Sequence, residues 1–474
     1  MTALYAVAFL SSLGFSIVVP FLVFLVTRFG GNAFVLGALG AAFWGAQLVG
    51  SIWLGALSDR IGRQRVLLRS QLGAMAAWLI FLGALSAPRV VLGRVDAAAV
   101  GAFTVTLPLA LIALARITDG LFNGSISVAN AYLADLADDD ERKLGYARLG
   151  AASSSGFVVG PVIAGLLART DAGMTAVLVL ALALSAIAAL LIRFRLPAVP
   201  PRPATAIEVA RAGGDLVHKP LGGGCPEAVR HPRWRVRDVL ARRELRPMIA
   251  LYFLIYFAFS VYVAALPVHA VIDAGCTMTD LARLYVTLAL ALAATERFAL
   301  PRIARKLATE VIATGGCALL IAAYLLISRS SEAALVAGAV LYGVGNGLMW
   351  PCYLVMLSRS GPAEYQGSIQ GVGSSAGSLA SILGTVTGGV LYVSIGAAAF
   401  YVSAAVAGVA TCLFLARVPG FDALSPARSR AGRRGPRPSS GAPGSRRAAR
   451  CTAGPRASRS GPPRPPRRPP RRAS

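Results

Sequence analysis

Gly55-Ala-Leu-Ser-Asp59-Arg60-Ile-Gly62-Arg63-Gln-Arg65 is a charged turn, dense in Gly and Arg, wedged between two long apolar runs. Upstream, Ala33 to Leu54 holds no charged residue; downstream, Val66 to Val91 carries only Arg69 and Arg89. A basic loop joining two apolar segments of about 20 residues each is the pattern of a cytoplasmic turn between membrane helices. Similar apolar runs recur along the 474-residue chain, which is 56% hydrophobic and 14% charged. A soluble protein would be roughly a quarter charged. The composition therefore excludes a soluble domain and implies a polytopic helical membrane protein.

Twelve spans fit the pattern, near 3–27, 33–55, 66–87, 102–134, 146–168 and 173–193, then 247–269, 279–297, 310–328, 332–357, 366–391 and 395–416. The first lacks a basic flank and exceeds a signal-peptide core in length, so it is expected to be retained as a helix. The fourth is overlong, which predicts tilt or a portion outside the lipid. The expected organisation is an N-terminal six-helix half over 1–193, a middle loop over 194–246, a C-terminal six-helix half over 247–416 and a tail over 417–474. The middle loop opens with Leu196-Pro-Ala-Val-Pro-Pro-Arg-Pro203 and includes a candidate surface helix near Arg235–Glu244. The two halves echo each other: Gly160-Pro-Val-Ile-Ala-Gly165 matches Gly384-Thr-Val-Thr-Gly-Gly389, and Arg302-Ile-Ala-Arg305-Lys306 is a worn copy of Arg60–Arg65.

The net charge of +26 is uneven, because the tail holds 16 Arg against the single acid Asp422. The three Lys (Lys143, Lys219, Lys306), the middle loop and the tail share one side with Gly55–Arg65. That side is expected to be cytoplasmic, with both termini inside a cell (inner) membrane. Arg28, at the outer end of the first span, is outvoted. The tail reads as disordered, and three accounts compete for it: a solvated or lipid-surface tail, a nucleic-acid contact, or an out-of-frame stretch. The arginines have no interleaved aromatics, so no nucleic-acid partner is expected. Six Cys and three His are scattered singly, which predicts neither disulfide framework, metal site nor cofactor. No nucleophile–base set or phosphate loop appears, so an enzyme is not expected. A non-transporting receptor on the same scaffold would require a filled cavity.

The spacing Gly55-x-x-x-Asp59-Arg60-x-Gly62-Arg63-x-Arg65 resembles the loop between helices two and three of the major facilitator superfamily. Further motifs are similar to its drug/proton antiporter branch, above all the tetracycline-efflux-like members. These are Gly14…Pro20 and Gln47, Arg116-Ile-Thr-Asp119-Gly120, Ala131-Tyr132-Leu-Ala-Asp135, Gly156-Phe-Val-Val-Gly160-Pro161-Val-Ile-Ala-Gly165, and Gln366-Gly-Ser-Ile-Gln370-Gly371. The resemblance covers roughly residues 8–415 and omits the middle loop and tail. It implies twelve helices in two pseudo-symmetric halves and transport by alternating access. There are two departures: Ser11 stands where tetracycline exporters carry a span-one acid, and Ala164 replaces the second Gly of the closing pair.

In physical terms, Asp59 can cap the positive N-terminus of a neighbouring helix, which in the family is span eleven, and Arg63 can pair with Asp135. With Gly55, Arg60 and Gly62 these residues form a candidate conformational latch; a plain topology-setting loop is the other reading. Gly156, Gly160 and Gly165 allow close packing and Pro161 a kink, which the family associates with export. Asp119 and Arg116 are the only acid and base deep within a span, about 24 Å from the inner surface. Three residues apart, they share a helix face. They are expected to carry proton coupling, or else form a permanent neutralising pair.

Gln47, Asn123, Asn346, Trp350, Tyr353 and Tyr256 are candidates for an apolar, aromatic substrate site with few polar hooks, although each aromatic alone could equally be packing. The expected function is a proton-coupled exporter of small lipophilic or amphipathic compounds, acting as a monomer in the lipid bilayer. The alternative is a proton- or sodium-coupled importer, or a uniporter, of a small metabolite.

Overall fold

The computed structural model describes residues 2–123, 125–136, 139–167, 173–197, 236–362 and 365–416. The tail and most of the middle loop lie outside the described residues. Among the described residues, eleven stretches are long and apolar enough to cross a membrane, and the last, Ile369–Leu415, contains two helices in tandem.

In chain order, span one is Thr2–Val18, a 3-10 turn at Val19–Phe21 around Pro20, and Leu22–Arg28. Spans two and three are Ala33–Ile61 and Arg63–Ser86. Span four joins Leu107–Asn123 to Ser125–Leu136; span five is Asp139–Leu167 and span six Gly173–Arg195. A short helix, Val236–Ala241, lies within the stretch expected to form one. Spans seven to nine are Arg246–Val268 with a π turn at His269–Asp273, Met278–Ala294 with a π turn at Thr295–Ala299 running on to Ile303, and Thr309–Ile327. Spans ten to twelve are Glu332–Arg359, Gln366–Ile395 and Ala399–Leu415.

Span four needs a correction. Its expected start at residue 102 falls within a β-hairpin, β1 Val91–Ala97 and β2 Gly101–Thr106, and the helix begins at Leu107. The hairpin is antiparallel, pairing Arg94 with Thr104 and Asp96 with Ala102. It docks on the turn between spans one and two. Thr104 N donates to Gly30 O (2.9 Å), and Thr106 Oγ1 donates to Phe29 O (2.9 Å). Asn32 caps span two by accepting from Val35 N, and its Nδ2 donates to Val100 O (2.8 Å) and Ala102 O. One side chain thus ends a helix and holds a hairpin.

The helices pack in two matching sets. Span one packs on five and six, four on two and three, and three on six; span seven packs on eleven and twelve, ten on eight and nine, and nine on twelve. Exchanging each helix for the one six places on maps the first set onto the second. The seam between halves obeys the same exchange, since two packs on eleven and five on eight. The glycine repeat seen in the sequence follows this symmetry. A Cβ on Gly160 would meet Ile17 N at 2.9 Å, and one on Gly384 would meet Phe257 O at 2.8 Å, so each seats its helix on span one or its equivalent, seven. At the far end of the repeat, Gly165 faces Ala282 of span eight and Gly389 faces Ala33 of span two, across the seam. Without Cβ atoms the backbones come close enough for dispersion to hold them.

The seam is closed at the hairpin end, and towards the other end two glycines on its faces meet no described neighbour. Near the hairpin, Gly37 and Gly40 lie against Thr385, and Gly101 at the hairpin tip lies against Val393. Gly55 stands five turns, about 27 Å, from Gly37 on the same face of span two. Nothing among the described residues lies within 4 Å of its Cβ position. Gly371 stands five turns from Gly389 on span eleven and is equally open. Gly62 alone makes the turn, with φ +96°, a backbone region other residues enter only with strain.

Candidate functional site

Span four carries the ionisable pair into the interior of the N-terminal half. Arg116 Nη1 lies 2.9 Å from Asp119 Oδ2, and the residues are only 6% and 2% exposed. The i,i+3 spacing brings the two groups onto one face. The guanidinium lies 4.1 Å from the ring centre of Phe43 on span two and 5.7 Å from that of Phe15 on span one. Those rings supply a cation–π surface worth up to about 2 kcal/mol when desolvated. Arg116 Nε is buried without a hydrogen-bond partner. The pair is therefore incompletely solvated by protein, and breaking it would leave a buried charge at a cost of about 3–5 kcal/mol.

Beside the carboxylate is a cavity of about 30 Å³ among spans one, three, four and six. That is room for about one water. Asn123, one turn further along the helix, interacts with Asp119 and lines the same cavity. Across the cavity, Gln71 Nε2 donates to Ser11 Oγ (2.7 Å), and Trp78 Nε1 donates to Ser185 Oγ (3.1 Å). Ser11, the position at which the exporter resemblance expects an acid, thus lines the same chamber as Asp119. Sequence reasoning passed over Gln71, Trp78 and Ser185. An amide deep in an apolar span needs a partner, and that need was the available signal.

The other candidates fall in separate places. Tyr256 and Trp350 are half-buried and stand 5.4 Å apart between ring centres, with Tyr252 stacked on Tyr256 at 5.0 Å, forming an aromatic wall in the C-terminal half. Tyr353 lies behind that wall, fully buried, stacked on Trp350, with its hydroxyl donating to Met248 O (2.8 Å). In this conformation it supports the wall. Gln47 and Asn346 are half-buried on spans two and ten. Asn123 belongs to the Asp119 chamber, so the structure does not gather the six candidates into one pocket.

In the turn, Arg60 is exposed and Arg63 Nη1 donates to Ser58 Oγ. The side chains of Asp59 and Asp135 lie outside the described residues, and with them the expected latch contacts. Gly156 and Gly160 abut span one, where Ser16 Oγ donates to Gly156 O (3.0 Å), and Pro161 sits inside an unbroken span five.

Two six-helix repeats meeting along a seam, with an ionisable pair buried inside one repeat, are the architecture of a membrane transporter. The chain belongs to the Major Facilitator Superfamily, whose sequence model matches residues 4–385 and 316–456. It is 30% identical over 162 residues to the class E tetracycline resistance protein of Escherichia coli, covering 34% of this chain and 35% of that protein. The matched stretch thus spans about a third of that relative's length. Major facilitator superfamily domain-containing protein 10 of Mus musculus is 26% identical over 362 residues, 75% of this chain and 72% of its own length. The crystal structure of the human organic anion transporter MFSD10 (TETRAN) superposes with a TM-score of 0.58 at 21% identity, covering 87% of this chain and 98% of that one. At that identity the likeness concerns the fold. The chain is accordingly a multi-pass membrane protein of that superfamily.

Proposed function

We propose that the protein is a proton-driven exporter of small lipophilic or amphipathic compounds in the cell (inner) membrane. The observation that carries this reading is the buried Arg116–Asp119 pair beside a water-sized cavity. A carboxylate held there by one incompletely satisfied cation can be neutralised by a proton, and a permanent structural pair has no use for the chamber. With the Gly55–Arg65 end taken as cytoplasmic from its positive loops, the end closed at the hairpin is the outer one. In the cycle, Asp119 takes a proton while the site faces outward, Arg116 is released from the neutralised acid and stays on the rings of Phe43 and Phe15, and proton release inward restores the pair. The aromatic wall of Tyr252, Tyr256 and Trp350 suits an apolar cargo. The tetracycline resistance relatives support export.

The test is efflux of a lipophilic fluorescent compound from energised cells, and its uptake into everted vesicles, with and without protonophore. Export is expected to collapse with protonophore and in a folded Asp119→Asn variant. Transport unaffected by both would make the pair structural and leave the driving force to be sought elsewhere. Ser11 in place of the exporters' span-one acid favours a second reading, a sodium- or proton-coupled importer or a uniporter. Protonophore-insensitive uptake into right-side-out vesicles would select a sodium-coupled importer or a uniporter.

A further inference from the structure

We infer that His269 is a second proton-binding site, placed so that its occupancy is tied to the opening of the hairpin face. Span seven ends in a π turn, His269–Asp273, a local geometry that shifts side chains out of α-helical register and is frequent at functional sites. His269 Nδ1 lies 2.9 Å from Asp273 Oδ2 and 3.1 Å from the hydroxyl of Tyr392 on span eleven. The same hydroxyl donates to Asp273 Oδ2, which closes a three-residue cluster. The imidazole is completely buried, 5.3 Å from the ring centre of Phe400 on span twelve, and its Nε2 has no hydrogen-bond partner.

With Nδ1 engaged by Asp273, Nε2 is the ring atom left to take a further proton, and in the conformation described it is sealed without a partner. Asp273, whose side chain is 35% exposed, supplies the countercharge an imidazolium would need. The titratable groups facing the ring are Asp273 on its own segment and Tyr392 from span eleven; span twelve offers Phe400. No base faces it among the described contacts.

The position gives the site its consequence. Tyr392 stands between Gly389, seated on Ala33 of span two, and Val393, which meets Gly101 at the hairpin tip. The cluster thus fastens span seven to the stretch of span eleven that closes against the N-terminal half. In this inference, opening the hairpin face shifts that stretch of span eleven against span seven, loosening Tyr392 and admitting water to Nε2. By linkage, whatever conformation lets Nε2 be protonated is favoured by protons. This holds whether or not Asp119 couples transport, because the site lies in the other half and the expected readout is conformational.

The experiment uses the full-length chain in lipid nanodiscs, with native cysteines replaced by alanine and spin labels on Ala98→Cys and Ser394→Cys. Label separations are measured between pH 8 and pH 5 without substrate. The short separation is expected to dominate at pH 8. The long-separation population should rise by up to about tenfold per pH unit while one ring titrates. The rise should persist in Asp119→Asn and vanish in His269→Asn, which keeps a donor near the Nδ1 position and cannot take the proton. His269→Gln serves the same purpose if the Asn variant does not fold. Separations independent of pH in the wild type, or a rise that survives in the His269 variants, would overturn the inference. So would a rise lost in Asp119→Asn but kept in His269→Asn.

Discussion

Arg116 and Asp119 are held unequally. The guanidinium keeps the rings of Phe43 and Phe15 if its acid is lost, whereas the carboxylate keeps only Asn123 if its base is lost. Arg116→Ala is therefore expected to lower stability by about 3–5 kcal/mol, and Asp119→Asn by distinctly less. The double variant Arg116→Ala/Asp119→Asn should recover most of the loss, as read from thermal unfolding in detergent. Equal losses in all three would place the pair's worth in packing rather than charge. The pair was legible in the sequence because a charge within an apolar run is costly, and an acid and a base three residues apart on a helix can neutralise each other. Its chamber was not, since Gln71, Trp78 and Ser185 come from spans three and six, and only tertiary packing brings them to Ser11. His269 was passed over as one of three scattered histidines; its partners lie four residues along a π turn and on span eleven, 123 residues away.

Among the elements, the hairpin is the one that apolar content concealed. Gly101–Thr106 reads Gly-Ala-Phe-Thr-Val-Thr, apolar enough to merge with the helix that follows. The signs of strand were there, however, in the β-branched residues and in the charged Arg94 and Asp96 two apart. The turn Ala98-Ala99-Val100 lacks the Asn-Gly or Asp-Gly that marks most tight hairpins. The docking bonds explain why it folds regardless. Asn32→Ala removes a helix cap, worth about 1 kcal/mol, and two donors to the hairpin. Hydrogen exchange over 91–106 is expected to speed up markedly while spans three and four keep their protection. Unchanged exchange would show that the bonds to Gly30 and Phe29 hold the hairpin alone. The span-five glycines fared better in sequence, because their repeat in span eleven pointed to a shared packing role that the seam and the span-one and span-seven contacts display.

For the whole molecule, the pseudo-twofold exchange of helix contacts means that each seam has a counterpart. Gly165 and Ala282 form the five–eight seam near its hairpin end, where a Cβ on Gly165 would lie 2.9 Å from that of Ala282. Disulfides span about 3.8 Å between Cβ atoms, within small backbone adjustment of this site. Gly165→Cys/Ala282→Cys is expected to cross-link on mild oxidation, stop transport, and regain it when reduced. Transport that continues through the cross-link would mean the hairpin end never opens. The hairpin itself touches the span one–two turn on one side and Val393 of span eleven on the other, outside the apolar bundle. That makes it a rigid, water-facing epitope whose shape depends on both halves at once. An antibody fragment that grips its tip together with the end of span eleven would recognise one conformation only and, in the orientation proposed above, would act as a plug applied from outside the cell without entering the substrate path.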